Sequence, residues 1–325
     1  MKVSIIIPYY NPDGDRETWK LLIRAIRSAR DSLSQDCDCE IVVVNDGSGS
    51  NPDLSSVKEL PVRYIDIPHR MLGGARNAGM DNASGDIITF LDADDIYYPG
   101  ALTPCIKAMQ KLDADLIGFG MIRVKDSGNC LKAPKGKPAF SQPVTGSAYM
   151  RDHDLYGSAC RYLIRTSFIR SHGLRFMENA YIEDEEFTPR MMYLAQRYSE
   201  TQYPVYAYCI RKGSIIMESS HSRIEARQAD TLKALSHLVA FRGEHMSQPH
   251  EGLDRKINTL AMDHLRRTLR RDDWRDAISA QKDALRDMGL YPLQGNRSFG
   301  FTLYRLLSRN MTGLTFLRLI ERFYI

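Results

Sequence analysis

The chain lacks any apolar run long enough to cross a bilayer: nowhere do about 20 consecutive apolar residues occur. The short run after Lys2 stops at Pro8, too soon for a secretory leader, so a cytoplasmic location is expected. Cysteine is sparse and scattered, at positions 37, 39, 105, 130, 160 and 209, with no Cys-x-x-Cys pair and no histidines at zinc spacing. That pattern argues against a zinc module or a disulfide framework and for reduced thiols. Charge of one sign is also scarce. A net +4 from 44 basic and 40 acidic residues does not by itself call for nucleic acid as a partner. No Gly-x-Gly-x-x-Gly follows the first apolar run, which argues against a dinucleotide-dependent oxidoreductase.

What is present is a series of short β-branched runs, each ending in polar loop formers. Residues 3–7 are β-branched apart from Ser4 and end at Pro8-Tyr9-Tyr10-Asn11-Pro12-Asp13-Gly14. A helix is expected over residues 17–33, where Leu22, Ile26, Ala29 and Leu33 recur at helical spacing with arginines interleaved. Further strands are expected at residues 40–44, 62–67, 86–91 and 115–124, with a helix beginning near Pro99. Strand, loop, helix and strand in this order predict a doubly wound α/β sheet, which binds ligands in the crevice outside the carboxyl ends of its strands.

Those strand ends carry the candidate chemistry. Residues 86–91 run into Asp92, Asp94 and Asp95. Carboxylates so close repel unless a cation neutralises them, and hard oxygen donors at a strand end suit Mg²⁺ or Mn²⁺ with a phosphorylated substrate. The same acids could equally form a solvated turn with one of them capping the next helix. Tyr10 offers a flat face to a base and Asn11 a polar edge, while Asp46 could accept from a pyrimidine N3–H. Asn45 to Ser50 also has the composition of an ordinary turn. Gly73-Gly74-Ala75-Arg76-Asn77-Ala78-Gly79 reads as a flexible, glycine-rich helix entry, with Arg76 able to meet a diphosphate or a uracil carbonyl.

Four segments in order, Ser-Ile-Ile-Ile-Pro-Tyr-Tyr-Asn at 4–11, Glu-Ile-Val-Val-Val-Asn-Asp-Gly-Ser at 40–48, the glycine motif at 73–79 and Gly-Asp-Ile-Ile-Thr-Phe-Leu-Asp-Ala-Asp-Asp at 85–95, resemble the family 2 glycosyltransferases of GT-A fold. One departure is Asn45 where the family more often has Asp. The resemblance implies a doubly wound mixed sheet with a C-terminal helical extension. It further implies that Pro8, Tyr10, Asn11, Asp46, Arg76 and Asp92 hold the nucleotide, and that Asp92 and Asp94 ligate Mn²⁺ or Mg²⁺. Asp95 is expected to brace the turn. Residues 183–186, Glu-Asp-Glu-Glu, fit a negatively charged first helical turn. With Leu174-Arg175-Phe176 before them, they also resemble the family's acceptor segment. By that resemblance Asp184 is the general base, with Glu183 as its alternate. A histidine completes the metal site in some relatives, which makes His221 a candidate ligand, although a solvated histidine fits the stretch as well.

The implied organisation is a nucleotide-sugar-binding half at 1–125, an acceptor-binding half with a flap loop at 126–221, and a helical region at 222–325. The implied reaction is metal-dependent, inverting transfer of a hexosyl group from a nucleotide-diphosphate sugar, taken as UDP-linked, to a hydroxyl of a glycan or polyprenyl-linked saccharide in cell-surface polysaccharide synthesis. A non-catalytic carbohydrate-binding protein is the alternative. A sugar nucleotidyltransferase fits less well, because its glycine- and arginine-rich loop should follow the first strand. A processive synthase is disfavoured by the lack of membrane spans and of a Gln-x-x-Arg-Trp segment. Residues 297–325 combine aromatics and leucines with five arginines and the single acid Glu321. Such a segment suits either the inner face of an anionic membrane or packing against the core or a homodimer partner.

Overall fold

The computed structural model describes residues 1–125, 131–210, 221–245, 249–295 and 298–323. The chain forms two compact units, Met1–Gly146 with Tyr156–Glu218, and Ser147–Leu155 with Ser219–Ile325. The expected region 1–125 lies within the first unit, whereas the expected region 126–221 is divided between the two, with 147–155 and 219–221 in the second. The part of the expected flap at residues 126–130 lies outside the described residues.

In the first unit the elements run β1 (Val3–Tyr9), α1 (Arg16–Asp31), β2 (Cys39–Asp46), β3 (Val62–Ile67), α2 (Met71–Asn82), β4 (Ile87–Phe90), β5 (Ile96–Tyr97), α3 (Leu102–Leu112) and β6 (Leu116–Lys125). After α4 (Gly146–Asp152), at the junction with the second unit, come β7 (Tyr162–Arg165), α5 (Thr166–Ser171), α6 (Glu183–Leu194) and β8 (Tyr198–Ile210). All eight strands join one sheet in the order β3-β2-β1-β4-β7-β6-β8-β5. The first four are parallel, β7 runs antiparallel to both β4 and β6, and β6 is parallel to β8. This is the mixed doubly wound sheet expected. Every residue of β1 and β2 is buried, as parallel strands covered on both faces must be, and continuous apolar runs follow from that covering. Because β1, β2 and β4 are parallel, Tyr10, Asp46 and Asp92 emerge at the same edge of the sheet.

The glycine motif is not a flexible entry. Its seven residues lie inside α2, and Gly73, Gly74, Arg76, Asn77 and Gly79 are buried. Close packing explains the glycines. A Cβ at Gly79 would collide with Cγ2 of Ile6 in β1, and one at Gly73 with the backbone oxygen of Met177. Without those side chains α2 sits flat on the sheet on one side and against the 177–183 segment on the other.

The second unit is helical: α7 (His221–Glu244), α8 (Glu251–Arg270), α9 (Trp274–Asp287), α10 (Phe299–Leu307) and α11 (Met311–Phe323). The C-terminal helical extension expected from the sequence is thus present. Leu253, Ile257, Leu260, Ala261, Leu265 and Leu269 are buried along α8, following the i, i+3, i+4 pattern of one continuous apolar stripe. Against it pack α7, α9 and α11. Among the described residues no helix is long and apolar enough to cross a membrane.

A Gly79→Ala chain is expected to lose about 1–3 kcal/mol through overpacking against Ile6, only partly offset by alanine's helix propensity of about 1 kcal/mol. Urea denaturation reads this as a lowered midpoint, and an unchanged midpoint would show that β1 and α2 can move apart freely.

Candidate active site

A guanidinium sealed inside the first unit gathers the acids. Arg76 is 1 % exposed. Its Nη1 donates to Glu183 Oε1 and to Asp184 Oδ1, each at 2.7 Å, and its Nη2 donates to Asp92 Oδ1 at 3.1 Å. The rings of Phe90 and Phe176 lie 5.8 and 5.4 Å from its central carbon, within the range at which a cation is attracted to an aromatic face. One side chain of α2 thereby joins the end of β4 to the first turn of α6. The side chain of Asp184 keeps 21 % exposure and that of Asp92 32 %, whereas Glu183 is buried.

Local sequence explains how α6 reaches this position. Four acids in its first turn suit the positive end of the helix dipole. Gly157 lets the preceding segment lie directly on that turn, since a Cβ there would stand 2.9 Å from the backbone nitrogen of Glu185. The Asp184 carboxylate also accepts from the backbone N–H of Ala159. Asn77, next to Arg76, clamps the approach: its Nδ2 donates to Phe176 O at 3.0 Å and Glu178 Oε1 at 3.1 Å, and its Oδ1 accepts from Phe176 N at 2.9 Å. The ring of Phe176 then stacks on Phe187 of α6 at 3.8 Å.

Three carboxylates on one guanidinium leave negative charge in excess. Burial pushes Glu183 up to about 7, with the charge of Asp184 adding to the shift and Arg76 opposing it. Asp184 is likewise raised by burial, which Arg76 counters and Asp92 reinforces. Burial disfavours the charge on Arg76, yet Asp184 and the other anionic groups hold its pKa well above the ordinary arginine value, so it is a permanent cation.

The acids after β4 divide by environment. Asp95, 1 % exposed, accepts from Tyr206 Oη at 2.6 Å and Cys209 N at 2.7 Å. It ties the end of β4 to β8, which is the bracing role expected of it, and burial with the charges of Asp92 and Asp94 pushes it up to about 8. Asp94 is half-buried, and its backbone carbonyl accepts from Arg24 Nη2 at 2.8 Å. Among the described residues no three His, Cys, Asp or Glu side chains cluster as a metal cage. Asp92 and Asp94 still fit Mg²⁺ or Mn²⁺ as an incomplete set of hard oxygen donors in a region of excess negative charge. Mg²⁺ is commonly held by one or two carboxylates, with waters and substrate phosphates completing the shell. His221 opens α7, and its side chain lies outside the described residues.

On the β1–β2 side, Asp46 accepts from Arg70 N at 2.7 Å through Oδ1, and its Oδ2 lies 2.9 Å from His69 Nδ1. The His69 ring stacks on Tyr10 with centroids 4.4 Å apart. Tyr10 is 45 % exposed, whereas Asp46 is almost wholly buried. One expectation needs correction here. Asn11 does not offer a free polar edge: it is buried, its Nδ2 donates to Tyr9 Oη and Asp15 O, and its Oδ1 accepts from Asp15 N. Pro8 lies buried within β1, opposite Val44. Both shape the loop that presents Tyr10. Sequence reasoning missed His69 and the Asn77 clamp. The position of Asn77 inside the glycine motif was the available signal, and a histidine after Pro68 carried none.

Replacing Arg76 by Gln removes the cation from these contacts and is expected to cost about 3–5 kcal/mol, the usual consequence of breaking a buried ion pair. Without it Glu183 and Asp184 would bind protons still more tightly in the folded than in the unfolded chain. Stability would then fall as pH rises from their unfolded values of about 4 toward their folded values. Urea titrations at about pH 5 and about pH 8 should therefore show a larger deficit relative to the parent chain at the higher pH; a pH-independent deficit would contradict this account.

Residues 4–169 match the family model described as Glycosyl transferase family 2. EpsH of Bacillus subtilis is 27% identical over 237 residues, covering 69% of this chain and 65% of EpsH. The GalNAc(5)-diNAcBac-PP-undecaprenol beta-1,3-glucosyltransferase of Campylobacter jejuni is 31% identical over 143 residues, covering 42% of this chain and 43% of that protein. The matches thus span less than two thirds of these relatives' length. The crystal structure of S. aureus TarS 1–349 in complex with UDP-GlcNAc is similar with a TM-score of 0.55 at 20% identity, covering 90% of this chain and 91% of that one, a likeness of fold. The same TarS segment without that ligand gives a TM-score of 0.57 at 18% identity. The sheet is that of the GT-A fold, the family model spans half the chain, and the chain belongs to glycosyl transferase family 2.

Proposed function

We propose that the chain is a metal-dependent, inverting glycosyltransferase of polysaccharide synthesis, moving a sugar from a nucleoside-diphosphate donor, most simply a UDP-sugar, to a hydroxyl of a glycan or lipid-linked saccharide. The observation that carries this reading is the Arg76 guanidinium, which holds Asp92 at the strand ends and Asp184 at the start of α6 on adjacent nitrogens. A donor-side acid and an acceptor-side acid are thereby fixed in one frame. The UDP-GlcNAc bound to TarS supports the choice of donor, and the undecaprenol-linked substrate in the Campylobacter name supports a lipid-linked acceptor.

In this reading the exposed face of Tyr10 takes the base, with Asp46 and His69 behind it. Asp92 and Asp94 hold Mn²⁺ or Mg²⁺, which when bound supplies neutralising charge to the diphosphate. Asp184 accepts the proton of the attacking hydroxyl. The acceptor oxygen bonds to the anomeric carbon as the bond from that carbon to the diphosphate oxygen breaks, and the electron pair leaves with the nucleotide. One displacement with one base inverts the anomeric centre. Arg76 fixes the direction of the Asp184 carboxylate, and the raised proton affinity caused by burial makes it a stronger base than an exposed aspartate. Glu183, sealed beneath it, acts through charge.

Asp184→Asn is expected to lower kcat by about 10²- to 10⁴-fold, the usual contribution of a positioned base, while the thermal shift produced by UDP-sugar with Mn²⁺ persists. In the parent protein kcat/KM should fall as pH drops, because protonation disables the base. The fall should begin above the ordinary carboxylate range, since both members of the acid pair are raised. Full turnover by the variant would remove Asp184 from the reaction, and the absence of any nucleotide-dependent thermal shift would favour a carbohydrate-binding protein without this donor. NMR of the product showing the donor's anomeric configuration would exclude inversion.

A further inference from the structure

The hairpin of α10 and α11 in the second unit is apolar on two sides. Its inner side carries Phe301, Tyr304, Leu314 and Leu317, all buried. Its outer side carries Phe299, Leu303 and Leu306 on α10, spaced by four and three residues, and Met311, Phe316 and Leu319 on α11. Phe299 is 85 % exposed, Phe316 52 % and Leu319 53 %. A helix that needs only one packed face has no structural use for a second apolar stripe. The hairpin is well fixed: Tyr291 Oη donates to Ser308 O at 2.9 Å, Gly313 N donates to Asn310 Oδ1 at 2.8 Å, and a Cβ at Gly313 would collide with the Leu307 carbonyl.

We propose that this outer face docks on a bilayer surface of anionic phospholipid. Charge decides between that occupant and a second copy of the chain. Between residues 298 and 323 the only acid is Glu321, and it is 4 % exposed, bonded to Arg266 at 2.6 Å and to Arg270 at 2.6 and 3.0 Å. Arg309 is exposed in the turn between the helices and Arg305 is half-exposed on α10. A two-fold interface made by this face would offer these arginines no exposed acid from either copy of the hairpin. Anionic headgroups supply the missing charge, and the acyl boundary takes the phenyl and leucyl side chains. No spanning helix is needed for such attachment, which brings the enzyme to a lipid-linked acceptor without requiring the donor chemistry above to be correct.

The test is flotation of the full chain with vesicles of phosphatidylcholine alone or with phosphatidylglycerol. The parent chain is expected to float with the phosphatidylglycerol vesicles, with a partition about tenfold or more above that for phosphatidylcholine. A Phe299→Ser/Phe316→Ser variant, melting at the parent temperature because both rings are solvent-facing, should lose about tenfold in partition. Arg309→Glu should lose binding severalfold and flatten its salt dependence. Failure to float with anionic vesicles, or equal partition of the double variant, overturns the proposal. So does sedimentation showing a parent dimer that the double variant converts to monomer, since that assigns the face to a second copy.

Discussion

A cation enclosed in protein, with more carboxylates than it can neutralise, is the constraint on which this structure turns. Arg76 touches Asp92, Glu183 and Asp184, residues that are 16, 107 and 108 positions away in the chain. Taking such ions out of water costs several kcal/mol apiece, and well-packed apolar residues often do as well for stability. A fold seeking only stability has no use for this arrangement. Its value lies in position: acids from the end of β4 and the start of α6 are held by one planar fork whose geometry admits little play.

The rest of the first unit keeps that fork in place. Glycines at 73 and 79 bring α2 flat against β1 and the 177 backbone, which carries Arg76 inside. Asn77 then locks Phe176, and Phe176 stacks on α6. The glycine motif is thus a docking face for the 176–183 segment. Its arginine and asparagine recognise protein before any ligand is present, which is preorganisation in the physical sense: the ordering cost is met on folding.

The sheet was legible because its physics is local. A parallel strand covered on both faces needs an unbroken apolar run, so β1, β2 and β4 announced themselves within a few residues of their ends. The acids at 92, 94 and 95 and the pair at 183–184 stood out as candidates through their oddity and their resemblance to a family. Their partners were not. Nothing near Arg76 in sequence states that it will meet α6 rather than a phosphate, since that depends on a contact between segments more than a hundred residues apart. Asn11 misled for a related reason: Asn in a loop suits a ligand edge or an internal brace equally, and the two hydrogen bonds to Asp15 that decide the matter form only when the loop closes. His69 had no pattern to belong to. It matters because β3 is parallel to β2, a register that brings the residues after Ile67 beside Asp46.

Burial sorts the remaining acids into distinct duties. Asp95 is enclosed and bonded to two donors on β8, and burial with the charges of Asp92 and Asp94 raises its proton affinity. Asp92, two residues from Asp94 in the same turn, is bonded to Arg76 through Oδ1 and keeps about a third of its side chain exposed. Had all three acids been equally open, their repulsion would splay the turn; had all been buried, none could meet a ligand. Closing the innermost acid with Tyr206 and Cys209 lets the turn hold its shape while Asp92 and Asp94 stay partly exposed. Burial also divides the acid pair on α6, where Glu183 is sealed while the Asp184 side chain, bonded to Arg76, keeps 21 % exposure.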